Sequence, residues 1–533
     1  MALVRNFISV GSATMASRIL GFARDTLVAA SLGAGPLADA FVVAFRLPNL
    51  FRRLFAEGAF NSAFVPLYAR KLESEGAAGA GQFAGQVFSG LLAILLAFSA
   101  VAMLFAPVLV SVLAPGYGDE AEKFDLTVEL SIICFPYLTA VSLTALLSGI
   151  LNAHRRFFVA AFAPVVLNVI SVAALGGVMM AGLAQTRTAA LVLCWSISAA
   201  GLAQLAMVAR ACARSPGAFR PGRPRWTGDM ARLIRLGVPG AIAAGATQIN
   251  IVIGTMIAST LAGANSYLYF ADRIYQLPLG VVGVAVGVVL LPEVARQIRA
   301  GQNDQALHQQ NRALEFAMVL TLPAAAALML LAQPIVSVLF ERGAFRPQDT
   351  AQTALALACF GAGLPAFVMA KVFGAGFFAR EDTRTPMLYG LAAMAVNIIG
   401  SALTWWFAPA SVHVGIAVST SLGGWLTVAL SYRRLTGSGG WRGDASLKRR
   451  LPRIVAAALA MGALVHGLSL LALPYLTVGN STLTRFGALA LICGSGLIAY
   501  FLFCQLTGGI DLRQMRQQLR RRTDVGPSGP IEA

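Results

Sequence analysis

Apolar stretches of about 20 residues or more recur fourteen times along the 533-residue chain. No other feature constrains its fold so strongly. A stretch of that length crosses the hydrocarbon core of a bilayer as one helix, and in lipid only helices and closed barrels satisfy their own backbone polar groups. The fold class expected is therefore an all-α polytopic membrane protein with fourteen transmembrane helices. Composition agrees: 57% of residues are hydrophobic and 12% charged, against roughly 25% charged in an ordinary soluble domain. The first two spans, at 8–33 and 37–62, are interrupted by charge; four cleaner ones follow at 86–114, 126–152, 157–182 and 188–209. Six more lie at 230–260, 267–295, 312–340, 350–379, 386–407 and 412–432, and two last ones at 453–474 and 484–506. No cleavable leader is evident in MALVRNFISVGSATMASRIL, so the first span is expected to serve as the targeting element.

The net charge of +18 raises the question of nucleic acid, and its distribution answers it. With the N-terminus inside, the cytoplasmic loops and tail hold 28 Lys/Arg, while the opposite loops hold five: Lys123, Arg187, Arg342, Arg346 and Arg485. This is the positive-inside pattern, and it predicts both termini in the cytoplasm. The run RQMRQQLRRR is then a topology and lipid-surface determinant, with no nucleic-acid partner expected. The six cysteines show no metal-ligand or redox spacing and the four histidines are scattered, so no metal site is expected. Paired-aspartate metal motifs, a Walker loop and a Ser/His/Asp set are all missing from the sequence, which argues against an enzyme and against an ATP-driven pump.

With the basic residues at the span ends counted among the loops, seven Lys/Arg lie inside spans: Arg18, Arg24, Arg46, Arg52, Arg53, Arg273 and Lys371; six of them fall on spans 1, 2 and 8. A charge at the centre of a membrane helix costs about 2.5–3.5 kcal/mol on an insertion scale, so such residues face a bundle interior or a cavity and take a partner. Arg18 and Asp25 are seven residues apart and share a helix face, with Arg24 about 120° around. Asp39, Arg46 and Arg53 follow at the same step on span 2, where Pro48 predicts a kink or break. Internal pairing is the alternative reading: Arg18 or Arg24 with Asp39, Arg53 with Glu57, Arg273 with Asp272. It cannot absorb six arginines with so few carboxylates, and arginine suits bidentate recognition of phosphate or carboxylate. The expected ligand is an anion.

The chain also repeats itself. LGAGPLADAFVVAFRLP at 32–48 parallels AGANSYLYFADRIYQLP at 262–278, and GILNAHRRF parallels GFFAREDTR, with offsets of about 220–230 residues. Spans 1–6 and 7–12 therefore read as two pseudo-symmetric six-helix lobes with two extra C-terminal helices, the substrate site between the lobes, and alternating access by rocking. The domain boundaries that follow are 1–213 for the N-terminal lobe, 214–228 for a cytoplasmic linker and 229–434 for the C-terminal lobe. A second linker takes 435–450, spans 13–14 take 451–508, and 509–533 is a basic cytoplasmic tail.

The stretches SRILGFARDTLVA, DAFVVAFRLPNLFRRLFAEGAFNSAFVPLYA, YFADRIYQLPLGVVGVAVGVVLLPEVA, LFERGAF and GAGFFAREDTRTP resemble the MviN/MurJ family of lipid II flippases, within the multidrug/oligosaccharidyl-lipid/polysaccharide exporter superfamily. The resemblance runs through all fourteen spans. It implies a transporter of the bacterial inner membrane that moves lipid II to the periplasmic leaflet for peptidoglycan synthesis and cell shape, with spans 13–14 lining a groove for the lipid tail. It implies substrate-binding roles for Arg18, Arg24, Asp39, Arg52 and Arg273, with supporting roles for Asp25, Arg53, Glu57 and Asp272. Gln276 stands where some relatives carry an acid, and span 7 has no carboxylate, which leaves Asn397 on span 11 as the candidate cation ligand. No cofactor is expected; the energy source would be the membrane potential or a monovalent cation. Lipid II, membrane lipids and other cell-wall synthesis proteins are the implied partners. Exporters of another polyprenyl-pyrophosphate saccharide, or of drugs by cation coupling, are the alternatives on this fold.

Overall fold

The structure, a computed structural model, describes residues 2–54, 61–215, 222, 227–285, 290–437 and 439–509. Helices occupy the described parts of the expected spans. In chain order the helices are α1 (Ala2–Leu32), α2 (Pro36–Arg52), α3 (Asn61–Ser74), α4 (Gly76–Leu104), α5 (Ala106–Leu113), α6 (Ala121–Ala153), α7 (Phe157–Met180), α8 (Arg187–Ala213), α9 (Gly228–Ala258) and α10 (Ala264–Ala285). They continue with α11 (Leu291–Arg299), α12 (Asn303–Leu330), α13 (Ala332–Phe340), α14 (Pro347–Phe378), α15 (Arg384–Phe407), α16 (Val412–Gly437), α17 (Ala445–Leu471), α18 (Leu473–Leu476) and α19 (Thr482–Leu506). Each of the fourteen spans coincides with one helix or with two in succession. Among the described residues, ten helices are long and apolar enough to cross a membrane by length and composition. The chain is an all-α, multi-pass membrane protein.

Helix starts follow local chemistry. Thr186, Thr227, Asp444 and Ser481 each accept a hydrogen bond from a backbone N–H in the first turn of the helix they open, and proline begins α2 and α14. Helix α2 runs unbroken through Pro48 to Arg52, so the proline does not break it.

The sequence repeat has a backbone counterpart. Gly33 (φ +72°) follows α1 and Gly263 (φ +81°) follows α9, at matching places in the repeated text. The second repeated stretch carries a cap of similar form, one residue out of register with the text. At the end of α6, Arg155 sits at φ 58°, with its N–H donating to the Asn152 carbonyl at 3.0 Å and that of Arg156 to Leu151 at 2.8 Å. At the end of α14, Glu381 sits at φ 62°, its N–H donating to Phe378 at 3.0 Å and that of Asp382 to Phe377 at 3.0 Å. Both are six-to-one helix caps of the same form, each with a side chain at the left-handed position where glycine is usual.

Two compact units divide the contacts. The first takes residues 1–270, 339–352 and 400–416. Helix α6 is its axis and packs against α2, α4 and α8, burying Leu138, Leu143 and Leu147 completely. Helix α9 also packs here, against α3 and α5. Its first turn is tied to α3 by Lys71, whose Nζ lies 2.7 Å from Glu75 and 2.9 Å from Asp229. Hydrogen bonds to those carboxylates, Glu75 first, hold the ammonium above the ordinary lysine range.

The second unit takes residues 271–338, 353–399 and from 417 onward. Its α12, α17 and α19 pack together, with the Tyr500 hydroxyl donating to the Val319 carbonyl at 2.8 Å. The basic stretch read as a linker before α17 is anchored. Arg312 grips both oxygens of Asp444 at 2.8 and 2.7 Å, Arg450 reaches Glu315 at 2.7 Å, and Trp441 is buried against Phe373.

Candidate functional site

The charged stretch of span 1 does not interrupt α1, which is continuous from Ala2 to Leu32. Arg24 turns to its neighbour: its Nε and Nη2 donate to Asp25 Oδ1 at 3.1 and 2.8 Å. The Tyr269 hydroxyl of α10 donates to the same oxygen at 2.9 Å. Asp25 is 3% exposed, so the carboxylate is stabilised by directed donors in place of water. Arg18, two turns earlier, is exposed. Between them Gly21 faces Asn168 of α7, whose amide donates to the Ser17 carbonyl at 2.9 Å.

Asp39, the next candidate, is fully buried. Its Oδ1 accepts from the Ser266 N–H at 3.0 Å and hydroxyl at 2.7 Å. Its Oδ2 accepts from the Gly263 N–H at 2.8 Å and lies 3.2 Å from Lys123 Nζ. These backbone donors belong to the start of α10, where a carboxylate satisfies orphan N–H groups and complements the helix dipole. An acid on α2 thus caps α10 from outside. Lys123 in turn sits 4.0 Å over the Tyr117 ring, a cation–π contact. Burial, and next the charge of Asp39, push the Tyr117 phenol well above its ordinary range.

One step along the α2 stripe, Arg46 Nη1 donates to Thr255 Oγ1 at 2.5 Å and Asn265 Oδ1 at 3.0 Å. Arg52 Nε donates to Asn49 Oδ1 at 3.2 Å. Buried Tyr137 of α6 lies within electrostatic reach of both Arg52 and Arg24. Arg53 is exposed, and Glu57 lies outside the described residues. The seven-residue stripe therefore has three different environments, running from wholly buried to open.

At the end of α1 remote from the N-terminus, the LFERGAF stretch packs backbone to backbone. The Ala344 N–H donates to the Ala30 carbonyl at 2.9 Å, and a Cβ on Gly33 would stand 2.7 Å from the Ala344 carbonyl oxygen. Gly116 makes a similar approach to α9: its N–H donates to Ser259 Oγ at 3.0 Å, and a Cβ there would meet the Ser259 carbonyl oxygen at 2.5 Å.

The second unit carries the remaining candidates. Asp272 and Arg273 are half-buried on α10, and Gln276 donates to Asp272 Oδ2. Asn397, 4% exposed, donates to Thr420 Oγ1. Sequence reasoning missed Lys123, Tyr137 and Tyr269. Lys123 was counted among the outer-loop cations, yet it is 4% exposed; a lone lysine beside a span start gives no sign of burial. Tyr269 stands in the repeated text at the position matching Asp39, the signal that could have found it.

Membrane-length helices that bury a network of acids and bases define a multi-pass membrane protein with a charged interior. Comparison with known proteins narrows the class, since the sequence model described as lipid II flippase MurJ matches residues 28–487. The chain belongs to the lipid II flippase MurJ family; it is a transporter, not an enzyme. It is 48% identical to the "Probable lipid II flippase MurJ" of Rhizobium tropici over 98% of this chain and 97% of that one. It is 33% identical to the "Lipid II flippase MurJ" of Burkholderia cenocepacia over 87% and 90%. Among solved structures, one described as lipid II flippase MurJ in an inward closed conformation superimposes with a TM-score of 0.75 at 24% identity, covering 94% of this chain and 98% of that one. An inward-facing multidrug resistance MATE family transporter of the MOP superfamily superimposes at 0.64 and 15% identity, over 81% and 98%. These two show the shared fold.

Proposed function

We propose that the protein flips lipid II from the cytoplasmic to the periplasmic leaflet of the bacterial inner membrane by alternating access. Both termini lie in the cytoplasm, and Arg18, Arg24, Arg52 and Arg273 receive the pyrophosphate. The observation that supports this most is the fate of Asp39. The internal-pairing alternative needed it as a counter-charge for Arg18 or Arg24; it is instead engaged by Lys123 and the start of α10. Asp39 is then a positioning residue and is not the counter-charge of Arg18 or Arg24. Asp25, shared between Arg24 and Tyr269, fixes the guanidinium in place for a bidentate partner.

The lobes of the repeat, 1–213 and 229–434, rock about the bound head group, while spans 13–14 guide the polyprenyl tail along their lipid-facing leucines, among them Leu459 and Leu491. Outward passage of a negative head group gains about 2.3 kcal/mol per charge per 100 mV of inside-negative potential. Arg53, Glu57, Asp272, Gln276 and Asn397 take supporting parts, the last as a ligand for a coupling cation. The names of the relatives favour lipid II over another polyprenyl-linked saccharide.

The test is complementation of a depleted strain with a leaflet assay for lipid II. Wild type should restore transfer. Arg18→Ala and Arg24→Ala should abolish it while the protein remains in the membrane at normal level. Mutants that lose membrane insertion, or that transfer lipid II normally, overturn the assignment of these side chains.

A further inference from the structure

Away from the charged residues of α1 and α2, a cavity of about 240 Å³ opens between the start of α7 and the end of α8. Phe158 and Phe162 form one wall, their rings stacked at 5.6 Å. Met207, Arg210 and Arg214 form the other. The two arginines are four residues apart, hence neighbours on one helix face, and both are exposed. Arg156, just before α7, donates to the Arg214 carbonyl at 3.3 Å, with Arg155 beside it in the same turn. Among the described residues, no carboxylate forms an ion pair with any of these four arginines. The first turn of α7 has no acidic residue either.

The sign of this charge alone would follow from the positive-inside pattern and from the α8 dipole, which favours cations in its last turn. Neither accounts for a concave site that sets two guanidinium forks against an aromatic wall. We propose that this cavity binds the phosphodiester head group of an anionic glycerophospholipid in the cytoplasmic leaflet, with its acyl chains lying along Phe158 and Phe162. Guanidinium forks match phosphate oxygens, basic pockets between membrane helices on the cytoplasmic side take anionic head groups, and the apolar phenyl rings offer a surface to acyl chains. None of Arg18, Arg24, Arg52 or Arg273 lines the cavity, so the site is not the one proposed for transport. The inference rests on the cytoplasmic placement of the α6–α7 turn and does not otherwise depend on the substrate assignment.

The experiment uses the full-length protein in detergent and in nanodiscs, with phosphatidylglycerol as probe and phosphatidylcholine as its neutral control. Phosphatidylglycerol should be retained on the wild type by native mass spectrometry and should raise its melting temperature; phosphatidylcholine should do neither. R210Q/R214Q should bind phosphatidylglycerol roughly thirtyfold more weakly, given the usual worth of two arginines against an anionic lipid. R210K/R214K keeps the charge but not the forks, and should weaken binding several-fold while preserving the fold. R433Q/R434Q, on exposed cytoplasmic arginines of α16, should leave binding intact. Unchanged binding by R210Q/R214Q overturns the proposal, as does an equal loss in R433Q/R434Q. The same melting shift from inorganic phosphate alone would overturn the lipid as occupant.

Discussion

Asp39→Asn tests the Asp39 network most sharply, because the substitution keeps shape and removes only charge and one acceptor. In the native structure the carboxylate accepts from three donors at 2.7–3.0 Å and faces Lys123 at 3.2 Å. Asparagine can keep one oxygen towards Ser266, but its amide then meets the Gly263 N–H and the Lys123 ammonium donor to donor. Breaking a buried ion pair by removing one partner costs about 3–5 kcal/mol, because the other charge is left uncompensated. Glu120, 3.6 Å from Lys123 and half-exposed, compensates in part, so the lower end, about 3 kcal/mol, is expected. That is a large share of a total stability of about 5–15 kcal/mol. The assay is a double-mutant cycle of apparent unfolding free energies in detergent, using Asp39→Asn, Lys123→Met and both. Lys123→Met in the Asp39→Asn background should recover part of the loss, since the stranded charge is gone. A single mutant within about 0.5 kcal/mol of wild type, the usual range for an ordinary surface substitution, would refute the reasoning. So would strict additivity of the two changes.

Three other outcomes follow from the same geometry. Arg155→Gly and Glu381→Gly relieve left-handed backbone at the two matching helix caps, and each should stabilise the protein by about 0.5–1 kcal/mol in thermal unfolding. Gly33→Ala should do the reverse, by about 2–4 kcal/mol, since it adds backbone strain at φ +72° and presses a methyl against the Ala344 carbonyl. His154 in the α6–α7 turn, whose Nε2 lies 2.9 Å from the Tyr68 hydroxyl, has its pKa held below 6.5 by burial and then by Arg156. Its contribution is full above about pH 6.5 and is lost as pH falls through the lowered value; melting curves of His154→Gln across that window should be flatter than those of wild type.

Much of the fold was legible in order and direction. Each span is long enough to declare itself, backbone satisfaction in lipid forces it to be a helix, and the repeat shows where the second half begins. The candidate site was legible as a set of residues on spans 1, 2 and 8, because a charge inside a span is costly wherever it points. Which acid meets which base was not. Sequence pairing offered Asp39 to Arg18 or Arg24, and the structure gives it to Lys123 and to backbone amides 224 and 227 residues away.

By itself, the sequence determined an all-helical membrane chain, its internal duplication and its membership of a flippase family, since these depend on composition, period and local text. Tertiary structure alone decided that Asp39 caps α10, that Tyr269 shares Asp25 with Arg24, and that an outer-loop lysine is a buried counter-charge. The physical reason is range. Helical periodicity places side chains on a face of their own helix, whereas an ion pair requires a few ångströms between two helices, a distance set by packing that no local pattern encodes.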